Sequence, residues 1–342
     1  MSDQADLIKD YILSTVTSHP EDIVSCAMET FSVTRTTVRR HLNKLIAGGL
    51  IIKTGETRDA KYFLTSSIDK SISYSLKSTL SEYTIFNENF DSALSTLPEN
   101  IYSICYYGLT EIINNAIDHS EGNKLTVSSS LKKKNLTLTI EDDGIGIFKK
   151  LYDYFKLDDL RESVLQLSKG KMSTDPTNHT GEGIFFTSRA FDTFQIYANG
   201  LHYLRDNDAN DWALEIVESK KPGSLVKMSI SIDAQTKLNG VFLRYEDPES
   251  LHFNRTEITV ALSKFNEEIL MSRSQAKRIL RDLEKFQYVT LDFSKIKLVG
   301  QGFVDEIFRV FQNQHPEINI SYTHATEDVA YMIKRGIANA KS

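Results

Sequence analysis

Leu7, Ile8, Tyr11, Ile12 and Val16 recur at the spacing of one helix face, and a second short helix is expected from about Glu21. A third begins at Thr34, with Val38, Leu42 and Leu45 as its apolar stripe, and Gly48-Gly49 stops it. Two short extended runs follow, 50–54 and 61–64, around Gly55-Glu56-Thr57-Arg58. Residues 66–81 are rich in Ser and Lys without a sustained apolar period, so they are expected to form a linker or a short spanning helix. Phe86, Phe90 and Leu94 mark a helix, and Pro98 suits the first turn of the next one.

That next helix carries Leu109, Ile112, Ile113 and Ala116 as a stripe suited to packing on a sheet. Strands are predicted at 125–130, 136–140, 194–198, 201–205, 212–217 and 224–232. Beyond them, a strand at 257–262 precedes a helix opened by the capping-box pattern Ser272-Arg273-Ser274-Gln275. Val289, Leu291 and Phe293 alternate as a strand, and a helix follows from Gly302. A strand at 318–322 and a helix at 327–338 close the chain. The alternation of strands and helices predicts helices packed on a sheet. The expected fold is therefore multidomain α/β, with units at 1–65, 98–235 and 236–342 and a linker or helical connection at 66–97.

Composition changes this picture little. With 40 basic and 46 acidic residues the chain has a formal net charge of −6, which argues against wholesale coating of nucleic acid. No stretch of eighteen apolar residues suggests a membrane span, and the N-terminus lacks a signal-peptide pattern, so a cytoplasmic protein is expected. Cys26 and Cys105 are read as small core residues, and no Cys/His cluster shows metal-ligand spacing.

Local charge matters more. Between 33 and 61 seven basic residues face two acidic ones, a balance of +5, whereas the first 32 residues hold one lysine against six acids. Thr34, Arg35, Thr36, Arg39, Arg40 and Lys44 remain outside the apolar stripe, and Arg58 lies in the hairpin turn. A helix with Thr and Arg at its N-terminal turn, followed by a basic hairpin, fits a major-groove reader with a backbone-contacting wing. The Thr34–Leu42 run and the Gly49-Leu50-Ile51 entry resemble the winged helix-turn-helix family. The alternative is a module of the same shape that contacts proteins.

The middle of the chain holds the candidate chemistry. Glu111, Asn115 and Asp118 stand at i, i+4 and i+7, one helix face. Leu136, Leu138 and Ile140 share a strand face, and parity places Asp142 on it just past the strand end. A carboxylate there is costly without a partner, and a ligand amino group is one. Gly144 and Gly146 let the backbone approach a ligand closely. Thr180-Gly181-Glu182-Gly183-Ile184 leads directly into a helix, where unpaired N–H groups and the positive helix end favour phosphate.

These pieces together resemble the GHKL ATPase superfamily of gyrase-type ATPases, sensor kinases and anti-sigma-factor kinases. Residues 111–119 are similar to its asparagine box, Asp142–Gly146 to its first glycine box, Thr180–Ile184 to the second and Gly223-Ser224 to the last. The resemblance implies that Asp142 accepts the adenine amino group, supported by Ser224 through water. It implies that Asn115 holds Mg²⁺ bridging the phosphates of ATP, and that Gly181 and Gly183 give amides to phosphate. The segment around 169–179 would be an ATP lid, and Glu111 a general base. Phe185 stands where sensor kinases commonly keep a third glycine, which is closer to the anti-sigma-kinase pattern. Residues 66–118 contain no histidine to accept a phosphoryl group.

The tail resembles the STAS-like domains sometimes attached to such ATPases, but its loop 299–302 carries no hydroxyl where anti-sigma antagonists hold a phosphorylatable serine. Ser272, Ser274 and Ser294 are the remaining candidates for that role. Arg273, Lys277 and Arg278 are read as a solvated helix face. The expected function is a bacterial, homodimeric, slowly ATP-hydrolysing DNA-binding regulator with a partner-docking tail. The alternatives are a protein Ser/Thr kinase acting on a partner, and an ATP-driven stress or defence effector whose N-terminal domain contacts protein.

Overall fold

The protein is described from a computed structural model, covering residues 4–76, 79–174, 180–218, 221–247, 249–263 and 269–340. Three helices come first: α1 (Gln4–Thr15), α2 (Ile23–Phe31) and α3 (Arg35–Ala47). Thr34 caps α3 by accepting from the Thr37 amide, as the hydroxyl of an N-cap does. Strands β1 (Ile51–Thr54) and β2 (Lys61–Leu64) form an antiparallel hairpin with Ile51 opposite Leu64. Ile8, Ile12, Val38, Leu42, Leu45 and Ile51 build a small core of their own. His41 is buried in α3.

Within the stretch expected to be a linker or short helix, residues 70–75 form a strand. A short 3-10 turn leads into β3 (Lys70–Ser75), which pairs antiparallel with β4 (Lys124–Lys132) as the edge of the central sheet. Its alternation of Ile72 and Tyr74 with serines is too weak to announce a strand; the pairing with β4 supplies what local sequence lacks. The helices α4 (Glu82–Asn89), α5 (Asp91–Leu94) and α6 (Glu99–His119) follow before β4.

The central sheet has seven antiparallel-paired strands in the order β3-β4-β5-β9-β6-β7-β8, with β5 (Asn135–Asp142), β6 (Thr193–Ala198), β7 (Leu201–Asp206), β8 (Asp211–Ile216) and β9 (Ser224–Ser231). Leu136, Leu138 and Ile140 of β5 are buried while Thr137, Thr139 and Glu141 between them are half-exposed, so one face carries the core. Against that face lies α6. A Cβ at Gly108 would meet the Phe191 ring at 2.5 Å and Met228 at 3.3 Å, so glycine sets how closely the helix lies on the core beneath it. Three further helices, α7 (Ile147–Phe155), α8 (Glu162–Lys169) and α9 (Gly183–Ala190), sit between β5 and β6.

After α10 (Leu238–Tyr245), the tail builds a parallel sheet from β10 (Arg255–Thr259), β12 (Tyr288–Asp292) and β14 (Asn319–Thr323). A second parallel pair joins β11 (Ile269–Leu270) to β13 (Leu298–Val299). Around them pack α11 (Arg273–Leu280), α12 (Gln301–Asp305) with its π-helical continuation to Phe311, α13 (Gln312–Gln314) and α14 (Glu327–Ala340). The Ser272–Gln275 capping box forms as expected. Central domain and tail share one continuous core. No helix among the described residues is long and apolar enough to cross a membrane.

Candidate functional site

The site lies where α6, the end of β5, the start of β9 and the N-terminus of α9 converge. They enclose a cleft of about 1030 Å³, counting the space at its open mouth. Glu111, Asn115, Asp142, Gly146, Thr180, Gly181, Gly183 and Ser224 all line it. Gly144 does not; a Cβ there would fall 1.9 Å from the Ser120 carbonyl, so this glycine lets the turn lie against the end of α6. Asp118 is exposed and outside the lining, and His119, one residue on, faces the cleft instead.

Asp142 is 8% exposed at the end of β5, on the buried face that strand parity predicts. Burial pushes its carboxyl above the ordinary range, opposed by hydrogen bonds from the Gly144 amide and from Ser224. Ser224 in turn accepts from the Ile147 amide at 2.9 Å. The adjacent Asp143 has a different task. It accepts from the Asn123 and Lys124 amides at 2.7 and 2.8 Å, which lowers its pKa and ties the α6–β4 connection to the first glycine turn. Gly146 has φ +83°, and a side chain there would collide with Asn199. Asn199 itself donates to the Ile145 carbonyl and accepts from the Lys149 amide, holding the turn from the β6–β7 hairpin. Nothing in the local sequence marks Asn199, because its partners lie about fifty residues away.

The phosphate-side expectation rests on the α9 end of the cleft. Gly181 has φ +72° and lies against the Met172 backbone. A Cβ on Gly183 would sit 1.9 Å from the Glu111 carboxylate, so the acid lies directly against the first turn of α9, where the helix dipole favours negative charge. The Asn115 side chain donates through Nδ2 to the Glu111 carbonyl at 2.8 Å, which leaves its amide oxygen as the atom to face a cation. Lys150 also lines the cleft, paired with Glu121 at 2.7 Å.

The expected lid divides in two. Met172, Ser173 and Thr174 line the cleft, and residues 175–179, including His179, lie outside the described residues. Lys169 is fully buried at the end of α8, not part of a loose loop. Its ammonium donates to Gln166 and to the Arg278 and Arg281 carbonyls of the tail at 2.9, 3.1 and 2.9 Å. Burial pushes its pKa down to about 7. Arg278 likewise departs from the expected solvated face: its guanidinium lies 2.9 Å from fully buried Glu162. That contact is an ion pair without hydrogen-bond geometry. Arg273 and Lys277 are exposed, though Arg273 pairs with Asp305.

Phe185, the residue in place of a third glycine, is buried against Tyr245 and Phe253, with ring centroids 4.9 and 4.6 Å away. The departure from the glycine pattern thus supplies an aromatic anchor for the tail.

Residues 104–190 match the model of the histidine kinase-, DNA gyrase B- and HSP90-like ATPases. The chain carries a GHKL-type ATPase domain. Residues 275–330 match a STAS-like domain of unknown function. No curated protein matches the chain. ATP is thereby a plausible ligand of a cleft in which a buried carboxylate, an asparagine on the long helix and two glycines at a helix start face one another.

At the N-terminus, Thr34, Arg35, Thr36, Arg39, Arg40 and Lys44 are all exposed on α3. The hairpin contributes less free charge than its sequence suggests, since Lys61 pairs with Glu21 at 2.6 Å. The side chain of Arg58 lies outside those described.

Proposed function

We propose that the protein is an ATP-dependent regulator in which the nucleotide state of the GHKL-type domain controls DNA binding by an N-terminal winged helix. The convergence of Glu111, Asn115, Asp142, Gly181 and Gly183 on one cleft supports the nucleotide half of this reading. In it, Asp142 accepts from the adenine amino group with Ser224 behind it, Asn115 holds Mg²⁺, and Thr180, Gly181 and Gly183 line the phosphates. Glu111 orients and deprotonates the attacking water. The exposed Arg35, Arg39, Arg40 and Lys44 face supports the DNA half, with Arg and Thr at the start of a helix suited to the major groove. A homodimer would place two such helices on paired half-sites, in the cytoplasm, and the STAS-like tail would dock a protein partner.

Ile51 and Ile52 offer a route between the halves. Successive residues of β1 point to opposite sides, and Ile51 enters the small N-terminal core while Ile52 enters the main one. A shift in the ATPase domain therefore bears directly on the hairpin.

The deciding experiment measures affinity for the protein's own promoter DNA without nucleotide, with ADP and with a non-hydrolysable ATP analogue. A difference between the analogue and the other two states is expected; equal affinities would remove the regulatory link. Arg35→Ala with Arg39→Ala should weaken DNA binding and reduce its salt slope by about two; unchanged binding would favour the protein-contacting effector. Glu111→Ala should keep ATP binding and slow turnover by about 10²–10⁴. Label from ATP appearing on a partner protein would replace hydrolysis with kinase activity. Of the three candidate hydroxyls in the tail, Ser272 serves in the cap of α11, Ser294 bonds Asp292, and exposed Ser274 lies 2.9 Å from Ser272.

A further inference from the structure

The turn between α1 and α2 gathers three donor groups of different kinds. His19 Nδ1 lies 3.1 and 3.3 Å from the two Asp22 carboxylate oxygens. Cys26 Sγ lies 3.4 Å from His19 Nδ1 and 3.5 Å from Asp22 Oδ2. Nothing in the order of residues announces this cluster, because the donors are spaced three and four residues apart in a mixed His-x₂-Asp-x₃-Cys pattern. Cys26 is half-buried at this cluster and is no core residue, unlike fully buried Cys105.

Two observations fit this cluster to a cation. First, Asp22 occupies the N-cap position of α2 but makes no side-chain cap bond; its carboxylate turns towards His19 and Cys26, forgoing a bond of the kind that stabilises helix starts. Second, the separations, which also suit hydrogen bonds, match one face of a metal tetrahedron. Bond lengths of about 2.3 Å to sulfur, about 2.0 Å to imidazole nitrogen and about 2.1 Å to carboxylate oxygen give donor–donor edges of about 3.3–3.6 Å. The edges His19–Asp22 Oδ2, His19–Cys26 and Asp22 Oδ2–Cys26 measure 3.3, 3.4 and 3.5 Å.

We infer that His19 Nδ1, one Asp22 carboxylate oxygen and Cys26 Sγ form a binding site for a zinc-class divalent cation, with water in the fourth position. A thiolate with an imidazole and a single carboxylate suits Zn²⁺ over Mg²⁺ or Ca²⁺, which take oxygen donors. On binding, the Cys26 thiol releases its proton to solvent and the sulfur lone pair forms the metal bond, with no change of oxidation state. The site is bolted to the hairpin: the Tyr62 amide donates to the Pro20 carbonyl at 2.8 Å, and Lys61 pairs with Glu21 at 2.6 Å. An occupied site therefore stiffens the α1–α2 turn against β2.

The test titrates the full-length, nucleotide-free chain with Co²⁺ and then displaces it with Zn²⁺. One equivalent of tetrahedral Co²⁺ with a thiolate-to-cobalt charge-transfer band is expected, reversed by Zn²⁺. Cys26→Ser should lose that band, and His19→Ala should weaken binding at least tenfold, both with unchanged far-ultraviolet circular dichroism. Asp22→Asn should weaken it less. A band that survives Cys26→Ser, or wild-type uptake no greater than that of His19→Ala, would overturn the site. Should Cys26→Ser fail to fold, His19→Ala decides the question by itself, since the His19 side chain is 43% exposed and lies outside the N-terminal core. ATP binding by these variants is expected to be unchanged, which keeps this result separate from the reading of the central cleft.

Discussion

The central domain meets its two neighbours in unlike ways. Towards the tail the apolar core is continuous, and the junction is crossed by the Phe185–Phe253 contact, the Glu162–Arg278 ion pair and the hydrogen bonds of buried Lys169 to the Arg278 and Arg281 carbonyls. Thr256 adds a bond to the Lys169 carbonyl at 2.7 Å, and Lys295 reaches back to Asp211 at the far edge of the sheet. Towards the N-terminus two cores stay separate, and among the described residues Ile52 alone of the hairpin joins the main one. A junction with many buried, mutually dependent contacts opens only when the domain unfolds, whereas one poorer in buried apolar contacts can yield alone. The tail shares the central core and the N-terminal unit keeps its own; under the proposed function, movement prompted at the cleft would appear at the N-terminal unit.

Breaking the tail junction should have the largest effect. Arg278→Ala leaves Glu162 buried without its counter-charge, and a loss of about 3–5 kcal/mol is expected. Chemical denaturation with probes in both the sheet and the tail should show the two destabilised together; independent melting of the tail would contradict the shared core. Next come two substitutions of one residue type at adjacent positions. Ile51→Ala and Ile52→Ala should each cost about 2–5 kcal/mol, but hydrogen exchange should report the first in the N-terminal helices and the second at the central sheet. Identical exchange patterns would abolish the distinction between the cores.

A smaller effect is expected from Asp142→Asn, which replaces a charged acceptor and should weaken ATP binding by about 1.5–3 kcal/mol, roughly ten- to a hundredfold. Calorimetric titration measures it, and any nucleotide effect at the N-terminal unit should vanish with it while the tail junction stays intact. The smallest is a pH slope. Lys169 has its pKa lowered by burial to about 7 from 10.5, so between those values the unfolded chain holds a proton that the folded one lacks. Stability from this group therefore rises as pH rises from 7, by at most about 1.4 kcal/mol per unit, and is level below 7. Lys169→Met should flatten that slope in denaturant titrations at pH 7 and pH 9.

Much of the fold was legible because periodicity and parity are local. The three N-terminal helices, most strands, the cap at Ser272 and the burial of Asp142 follow from residues within a few positions of one another. The edge strand β3 was not, since its serines leave only a weak apolar alternation and its partner lies about fifty residues away. The site divides likewise. Glycines and acids announced the cleft, but Asn199 holding the first glycine turn, and His119 facing inward where Asp118 was expected, depend on contacts and helix phase that spacing leaves open. The reach of Lys169 and Arg278 across the junction was hidden for a further reason: a long charged side chain looks alike in sequence whether it ends in water or in a buried pair.

By itself, then, the order of residues determined most of the elements, the face that β5 buries and most of the groups that line the cleft, because alternation and helix period are properties of the backbone. Only the tertiary structure decided which of those groups meet, which charges are buried, and that the tail shares the central core while the N-terminal unit keeps a core of its own beside it. Desolvation and packing depend on what arrives from elsewhere in the chain, and no short stretch of sequence carries that information.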